Sequence, residues 1–463
     1  MDDLTEGVKT LLGDPRKAIM KLALPMIIGL SAQTVYNVAD AIWVSGLGAD
    51  ALAAVGFFFP FFFLLMALAT GISVGGSSAI SRKIGSRDKK KADSVAIHSL
   101  IIGVITAIAV GLPFFVLSDD IFNKMGAGRV SDMATGYARI LFGGSIFIFF
   151  SNIANGILRG EGNAKRAMYA LLLGSILNII LDPIFIYTFN LGVEGAAWAT
   201  LLSIITTSVL LFNWLFLRKD TYVSIRLRSF RFKWEIIKEV LKVGIPASVV
   251  QLSMSLSILA LNIIVVKAGG TDGVAVFTTG WRVVMIGTLP LLGMATAVTA
   301  ITGAAYGARD FKKLDTAYIY AIKIGFLIEA GVALFTYAFA PWIAVPFTYS
   351  QGAAHIADDL ILFLRTITMF YPFVAFGMFS SAMFQGIGKG VNSLAVTLLR
   401  TIVLTTPLAY LFSLSMDFGL EGVWMGIVAG NIMGAITAFV WGRLHVRGLL
   451  VMERESIAMP VED

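Results

Sequence analysis

Apolar residues in this chain come in long runs separated by short polar stretches. A helix needs about 20 apolar residues to cross ~30 Å of hydrocarbon. Twelve runs meet that length, near residues 18–44, 51–80, 94–118, 133–157, 168–189, 194–217, 243–267, 272–304, 316–341, 355–385, 391–414 and 420–442. The pattern predicts an all-α polytopic membrane protein with twelve spans.

The polar stretches alternate in charge. Arg82, Lys83, Arg87, Lys89, Lys90 and Lys91 follow span 2. Arg218, Lys219, Arg226, Arg228, Arg231, Lys233, Lys238 and Lys242 follow span 6, and Arg309, Lys312 and Lys313 follow span 8. The loops after spans 1, 5, 9 and 11 contain no Lys or Arg. Basic loops stay on the cytoplasmic side, so both termini are expected there, in a cell membrane. From Phe230 to Lys242 the pattern predicts a short amphipathic surface helix, with Phe230, Trp234, Ile237 and Leu241 on one face. The first 17 residues lack a cleavage pattern, so the first span is expected to remain.

The chain also repeats itself. Gly85-Ser86-Arg87-Asp88-Lys89-Lys90-Lys91-Ala92-Asp93 returns as Gly307-Ala308-Arg309-Asp310-Phe311-Lys312-Lys313-Leu314-Asp315. Lys21 and Pro25 match Lys242 and Pro246, Arg139 matches Arg365, Gly160 and Gly162 match Gly386 and Gly388, and Glu194-Gly195 matches Glu421-Gly422. Two six-span halves in the same orientation are predicted: residues 1–217, a cytoplasmic linker over 218–242, and 243–463 with a short tail. Parallel repeats of this kind are a transporter architecture. Features shared by both halves read as structural, and features of one half as candidates for function.

Composition sharpens the class. With 57% hydrophobic and 14% charged residues, a water-soluble fold is excluded. The net charge of +7 lies in loops and reads as topology rather than nucleic-acid binding. Cysteine is absent, and His98, His355 and His445 carry no ligand spacing, so no metal site is expected. No phosphate-binding Gly-x-x-x-x-Gly-Lys-Ser/Thr run occurs, so uphill transport must draw on an ion gradient.

Candidate chemistry lies in the first half. Gln33, Tyr36, Asn37 and Asp40 share one face of span 1. Asn178 and Asp182 share a face of span 5, just before Pro183. Pro25 and Pro183 are expected to kink their helices. The second-half counterparts of Asp40 and Asp182 are Leu261 and Thr406, so the two carboxylates are confined to the first half. Carboxylates buried near one another resist ionisation and suit proton uptake and release. Their oxygens, with those of Asn178 and Thr200, also suit a sodium ion. Asn152, Asn155 and Thr200 are candidates to complete a polar network, with helix–helix hydrogen bonding as the alternative for each. Glu329, deep in span 9, is a further intramembrane acid, either functional or paired with Arg365 or Arg400.

The two six-span halves, the Gln33-x-x-Tyr36-Asn37-x-x-Asp40 stripe and the Asn178-x-x-x-Asp182-Pro183 run resemble the multidrug and toxic compound extrusion family, closest to its DinF-like, archaeal-type members. The resemblance covers essentially the whole chain. It implies a V-shaped fold of two lobes around a cleft, a monomer without cofactor, and no enzymatic activity. It also implies antiport of organic, often cationic compounds against H+ or Na+ by alternating access. Asp40 and Asp182 match the cation-coupling pair, and Gln33, Tyr36, Asn37, Asn178 and Thr200 match polar positions around it. The NorM-like branch carries an acid in span 7 and another in span 10. Here span 7 offers Gln251, and span 10 has only Asp358 and Asp359 at its outer mouth. A lipid or lipid-linked precursor flippase is the alternative function.

Overall fold

The structure, a computed structural model, describes residues 4–218, 220–225, 230–349 and 352–458. Lys219, Arg226 and Arg228, expected in the basic linker, lie outside the described residues. The described chain is all helix and connection. After a short α1 (Glu6–Leu12), the first half comprises α2 (Pro15–Ser45), α3 (Ala49–Gly85), α4 (Lys89–Lys124), α5 (Ser131–Gly143), α6 (Ser145–Gly160), α7 (Ala164–Pro183) and α8 (Gly192–Phe212). The second half comprises α9 (Trp234–Gly287), α10 (Leu289–Gly307), α11 (Phe311–Thr348), α12 (Ala357–Ile367), α13 (Tyr371–Gly386), α14 (Gly390–Leu398), α15 (Thr406–Tyr410) and α16 (Gly419–Ala458). Four π-helical segments, Ile184–Thr188, Asn213–Leu217, Leu399–Thr405 and Leu411–Ser415, extend α7, α8, α14 and α15.

Eleven helical stretches among the described residues are long and apolar enough to cross a membrane, and the pair α5–α6, bent by 49°, makes twelve. Two expected spans meet inside α9. Its backbone leaves the helical region at Gly269 (φ −147°) and Gly270 (φ 61°), so span 7 ends there. Gly270 adopts the left-handed conformation at no steric cost, as only glycine does. Span 8 then runs on through α10.

The repeat is written in the backbone. Arg87 and Arg309 both take φ 57°, which is uncommon for a residue with a side chain. Asp88 and Asp310 follow them as N-caps, accepting from the amides of Lys91 and Lys313 at 3.0 and 2.9 Å. Gly162 and Gly388 match at φ 81° and 82°, Asn190 and Asp417 at 53° and 62°, and Gly192 and Gly419 at 55° and 56°. A Cβ on Gly195 would sit 2.6 Å from the Phe185 carbonyl oxygen; on Gly422 it would sit 2.5 Å from that of Phe412. Small residues let these helix backbones touch, the usual basis of helix association where water supplies no hydrophobic drive.

Residues group into two compact units, one built on residues 24–248 with the segment up to Asp14, the other on residues from 249 onward with Pro15–Ala23. In the first unit the connection after α8 is tied down. Arg166 donates to both Asp220 oxygens at 2.9 and 2.5 Å. Glu161 accepts from the Val223 amide at 3.1 Å, Asp93 from the Ser224 amide at 2.7 Å, and His98 Nε2 from the Lys233 amide at 3.0 Å. Burial pushes the Glu161 carboxyl up to about 7.

The surface helix expected over Phe230–Lys242 does not form as a separate element. Residues 230–233 are not helical, and α9 starts at Trp234 and continues into span 7. Continuity spares the chain a second pair of helix ends with unsatisfied backbone groups. Its buried face is Ile236, Val240 and Val243, offset from the predicted one, and Trp234 is exposed. Glu239, pairing with Arg82 at 3.2 Å and Lys83 at 2.9 Å, fixes that rotation.

Candidate functional site

Four helices of the first unit, α2, α5, α7 and α8, supply the site. α2 carries the stripe of Gln33, Tyr36, Asn37 and Asp40. Its other side presents Val35, Val38 and Ile42, all exposed, as expected of a lipid-facing surface. Pro25 lies within α2, which nevertheless forms one continuous helix from Pro15 to Ser45. Outside the stripe, the Tyr187 hydroxyl donates to the Trp43 carbonyl at 2.6 Å, tying the C-terminal end of α2 to the π segment after α7.

α7 carries Asn178 and Asp182 one turn apart, both buried. The Asn178 amide donates to Asp182 Oδ1 at 3.2 Å and to Thr200 Oγ1 of α8 at 3.2 Å. Pro183 ends α7, and the backbone continues as the π segment Ile184–Thr188. A proline lacks the amide that a helix needs, which favours such local rewinding.

Three oxygens in this neighbourhood are buried without a hydrogen-bond partner: Asp40 Oδ1, Asn178 Oδ1 and Asp182 Oδ2. Asp40 and Asp182 lie within electrostatic reach of each other, and both act on Tyr36, whose hydroxyl is partnered by Gln33. Gln33, Tyr36 and Asp40 are half-buried, and Asn37 is exposed. An unpaired buried carboxylate costs several kcal/mol, about what a lost partner costs in a buried ion pair. The arrangement therefore answers to whatever neutralises it, a proton on a carboxyl or a small cation among the free oxygens.

Asn152 and Asn155 stand apart from this network. Asn152 donates to the Ile148 carbonyl of its own helix at 3.2 Å, with Met66 Sδ at 4.0 Å. Asn155 donates to the Ala167 carbonyl at 2.9 Å and so ties α6 to α7. Glu329 pairs with neither arginine: Arg365 is exposed and lies over the Tyr337 ring at 5.5 Å, and Arg400 packs along Gly377 and Gly434.

Tyr137 of α5 is a site residue that sequence reasoning missed. Asp40, Asp182 and Tyr36 all act on its buried phenol. Its partner in the repeat, 226 positions on, is Phe363. Comparing the halves for lost hydroxyls as well as lost acids would have found it.

The MatE family model matches residues 25–184 and 246–411, one segment in each half. The chain is similar to the probable multidrug resistance protein YoeA of Bacillus subtilis, 27% identical over 447 residues, with 93% of this chain and 94% of that protein covered. It is similar to the multidrug export protein MepA of Staphylococcus aureus, 27% identical over 430 residues, with 92% of each covered. Among solved structures it resembles the outward-facing conformation of a multidrug resistance MATE family transporter of the MOP superfamily. That match is 54% identical with a TM-score of 0.94, over 96% of this chain and 99% of that one. It also resembles a MOP superfamily transporter from Pyrococcus furiosus, for which a reverse polarity of the binding pocket suggests a different function. There the identity is 54% and the TM-score 0.93, over the same shares of the two chains.

Proposed function

Because this chain belongs to the MatE family of multidrug efflux transporters, we propose that it is a secondary active exporter of organic, often cationic compounds, driven by proton antiport and coupled through Asp40 and Asp182. The observation that carries this reading is the half-satisfied network of the first unit. Asp182 receives one hydrogen bond from Asn178, while Asp182 Oδ2, Asn178 Oδ1 and Asp40 Oδ1 receive none. Such a site changes its hydrogen bonding when a proton arrives or leaves. A drug that binds one arrangement better than the other is thereby linked to the proton. Gln33, Tyr36, Asn37 and Thr200 are the groups available to exchange partners. Sodium at the oxygens of Asp40, Asn178, Asp182 and Thr200 is the second ion these atoms suit. The charge alternation of the loops supports cytoplasmic termini in the cell membrane.

Transport by the purified protein in liposomes tests the reading. An imposed pH gradient, with sodium equal on both sides, is expected to drive uptake of a cationic dye, and a sodium gradient at equal pH is not. Dye movement driven by sodium alone assigns the site to that ion. No movement under either gradient, with lipid scrambled between leaflets instead, returns the chain to the flippase alternative.

A further inference from the structure

One buried place in the second half carries unsatisfied polar groups where the first half carries none. α11 puts Glu329 wholly inside the second unit, and neither carboxylate oxygen has a hydrogen-bond partner. α13 puts Tyr371 beside it, also wholly buried, with its hydroxyl unpartnered. The two lie within electrostatic reach. Gly287 borders the same space: a Cβ there would lie 3.3 Å from the Tyr371 ring and 3.3 Å from Val332.

The repeat identifies the equivalent place in the first half. The offset is 222 at the turn joining the second and third spans of each half, and 226 through the fourth. Gly287, Glu329 and Tyr371 thus correspond to Leu65, Ala107 and Ser145. Those three are closed and satisfied. Leu65 and Ala107 are fully buried, and the Ser145 hydroxyl donates to the Ala107 carbonyl at 3.2 Å. Ser145 and Tyr371 each open the helix that follows the break in their span. The same backbone geometry therefore needs no polar side chain to fill this space. In the second half the leucine has become a glycine, the alanine an acid and the satisfied hydroxyl an unsatisfied phenol.

Packing does not account for that change, because unsatisfied polar groups are costly where neither water nor a partner reaches them. Among the described residues no hydrogen bond reaches either Glu329 oxygen, and Tyr371 is a titratable group within its electrostatic reach. A buried carboxyl without a partner is far less costly with a proton than without one. Sodium fits poorly, since a hard cation needs a shell of oxygens and this place offers a carboxylate and one phenol.

We propose that Glu329, with Tyr371 placed to donate to its carboxylate once the proton leaves, is a second proton-carrying site, confined to the second half and used in each transport cycle alongside the aspartates of the first. When water reaches the space, the proton passes from the Glu329 carboxyl to water, and the Tyr371 hydroxyl donates to the carboxylate left behind. Reloading reverses both steps. The proposal rests on the proton-antiport reading above, and the two are separable by experiment.

The test uses the full-length protein in lipid nanodiscs for infrared spectra and in liposomes for the proton-to-drug ratio. Glu329→Gln keeps the size and neutrality of the protonated side chain. It is expected to lose one protonated-carboxyl band and to export at a lower proton-to-drug ratio. Tyr371→Phe is expected to keep that band but to hold it to higher pH, because the donor to the carboxylate is gone, which a merely structural tyrosine would not do. An Asp40→Asn, Asp182→Asn double variant should retain the Glu329 band although driven export is lost. A Glu329→Gln spectrum and ratio identical to those of the parent protein would overturn the proposal. Normal export by the double variant would instead overturn the coupling role of the aspartates, and the band would still decide the state of Glu329. Should Glu329→Gln fail to fold, a band that neither shifts in Glu329→Asp nor changes its pH dependence in Tyr371→Phe overturns the proposal as well.

Discussion

Span 5 and span 11 are the same piece of backbone put to two uses. Each ends in a π segment, Ile184–Thr188 in one and Leu411–Ser415 in the other. Each packs its carbonyl edge on a glycine of the next span, Gly195 or Gly422. Yet span 5 carries Asn178 and Asp182, and the corresponding residues of span 11 are Thr405 and Ala409. That correspondence differs from the pairing of Asp182 with Thr406 read from sequence. The offset between the halves is 226 at Gly162 and Gly388 but 227 at Asn190 and Asp417. The π segment Leu399–Thr405, which has no counterpart in span 5, takes up the extra residue. Either way the second half lacks the acid. An intramembrane carboxylate is expensive and is retained where it is used. Subtracting one half from the other therefore isolates function from scaffold.

The sharpest way to break this comparison is to remove the acids. Asp182→Asn or Asp40→Asn is expected to reduce gradient-driven export by more than about tenfold, the factor set by ~1.4 kcal/mol of coupling. The counterpart changes Ala409→Ser and Leu261→Met should leave the ion dependence as it was. Dye transport in liposomes under an imposed pH gradient measures all four. Equal losses in both halves would mean that the acids are scaffold.

A smaller effect is expected at Glu161, outside the spans. Its position in the second half is Ile387, also buried. Burial raises the Glu161 carboxyl from 4.5 to about 7, against the Val223 amide and Arg166, which favour its charge. Between those values the folded protein binds more protons than the unfolded chain. Stability therefore falls as pH rises through that window and is lost by at most about 3 kcal/mol above it. Glu161→Gln keeps an acceptor for Val223 and should abolish that fall. Thermal unfolding in detergent from pH ~4.5 to ~8 checks it, and parallel curves for the two proteins would count against it.

How much of this was legible in the sequence follows from which rule each feature obeys. Span positions follow run length, so all twelve could be read. The turn at Gly85–Asp93 and its repeat were legible because a left-handed Arg87 and a capping Asp88 constrain residue type locally. The stripe Gln33-Tyr36-Asn37-Asp40 and the pair Asn178-Asp182 follow helical period. Period gives the face of a helix but not what it meets. For Asn152 and Asn155 a network around the aspartates and helix–helix hydrogen bonding therefore both stayed open, and their hydrogen bonds go to backbone carbonyls. For Glu329 a functional role and a pair with Arg365 or Arg400 both stayed open for the same reason. The start of α9 was misjudged because a surface helix and the first turns of a span have the same composition. Only the Glu239 ion pairs fix how that helix turns.

The two glycines near the starts of spans 6 and 12, packed on the ends of spans 5 and 11, test the shared scaffold. Gly195→Ala and Gly422→Ala each push a methyl group against a carbonyl oxygen, Phe185 or Phe412, that cannot move without its helix. Each should destabilise the protein by about 1–3 kcal/mol, as overpacking does elsewhere. Melting temperatures in detergent should fall by similar amounts. A loss confined to Gly195 would tie that contact to the acids of the first half instead.

The smallest effect concerns the caps at the start of the third span of each half. Asp88 and Asp310 accept from amides three residues on, at 3.0 and 2.9 Å, and each follows an arginine at φ 57°. A lost aspartate cap costs about 1 kcal/mol. Asp88→Ala and Asp310→Ala should therefore each lower stability by that amount, with export otherwise intact. The Lys91 amide and ammonium hold the Asp88 carboxyl below its ordinary value. Its contribution is thus present above that ordinary value and fades as pH falls through the lower, folded one. Asp88→Asn retains an acceptor without the charge and should recover most of what alanine loses. These turns carry the most nearly identical stretch of the repeat, six of nine residues between Gly85–Asp93 and Gly307–Asp315. If sequence identity there reflects one shared structural duty, the two alanine variants must melt alike. A clear difference between them would mean that one of the two turns has taken on a second role.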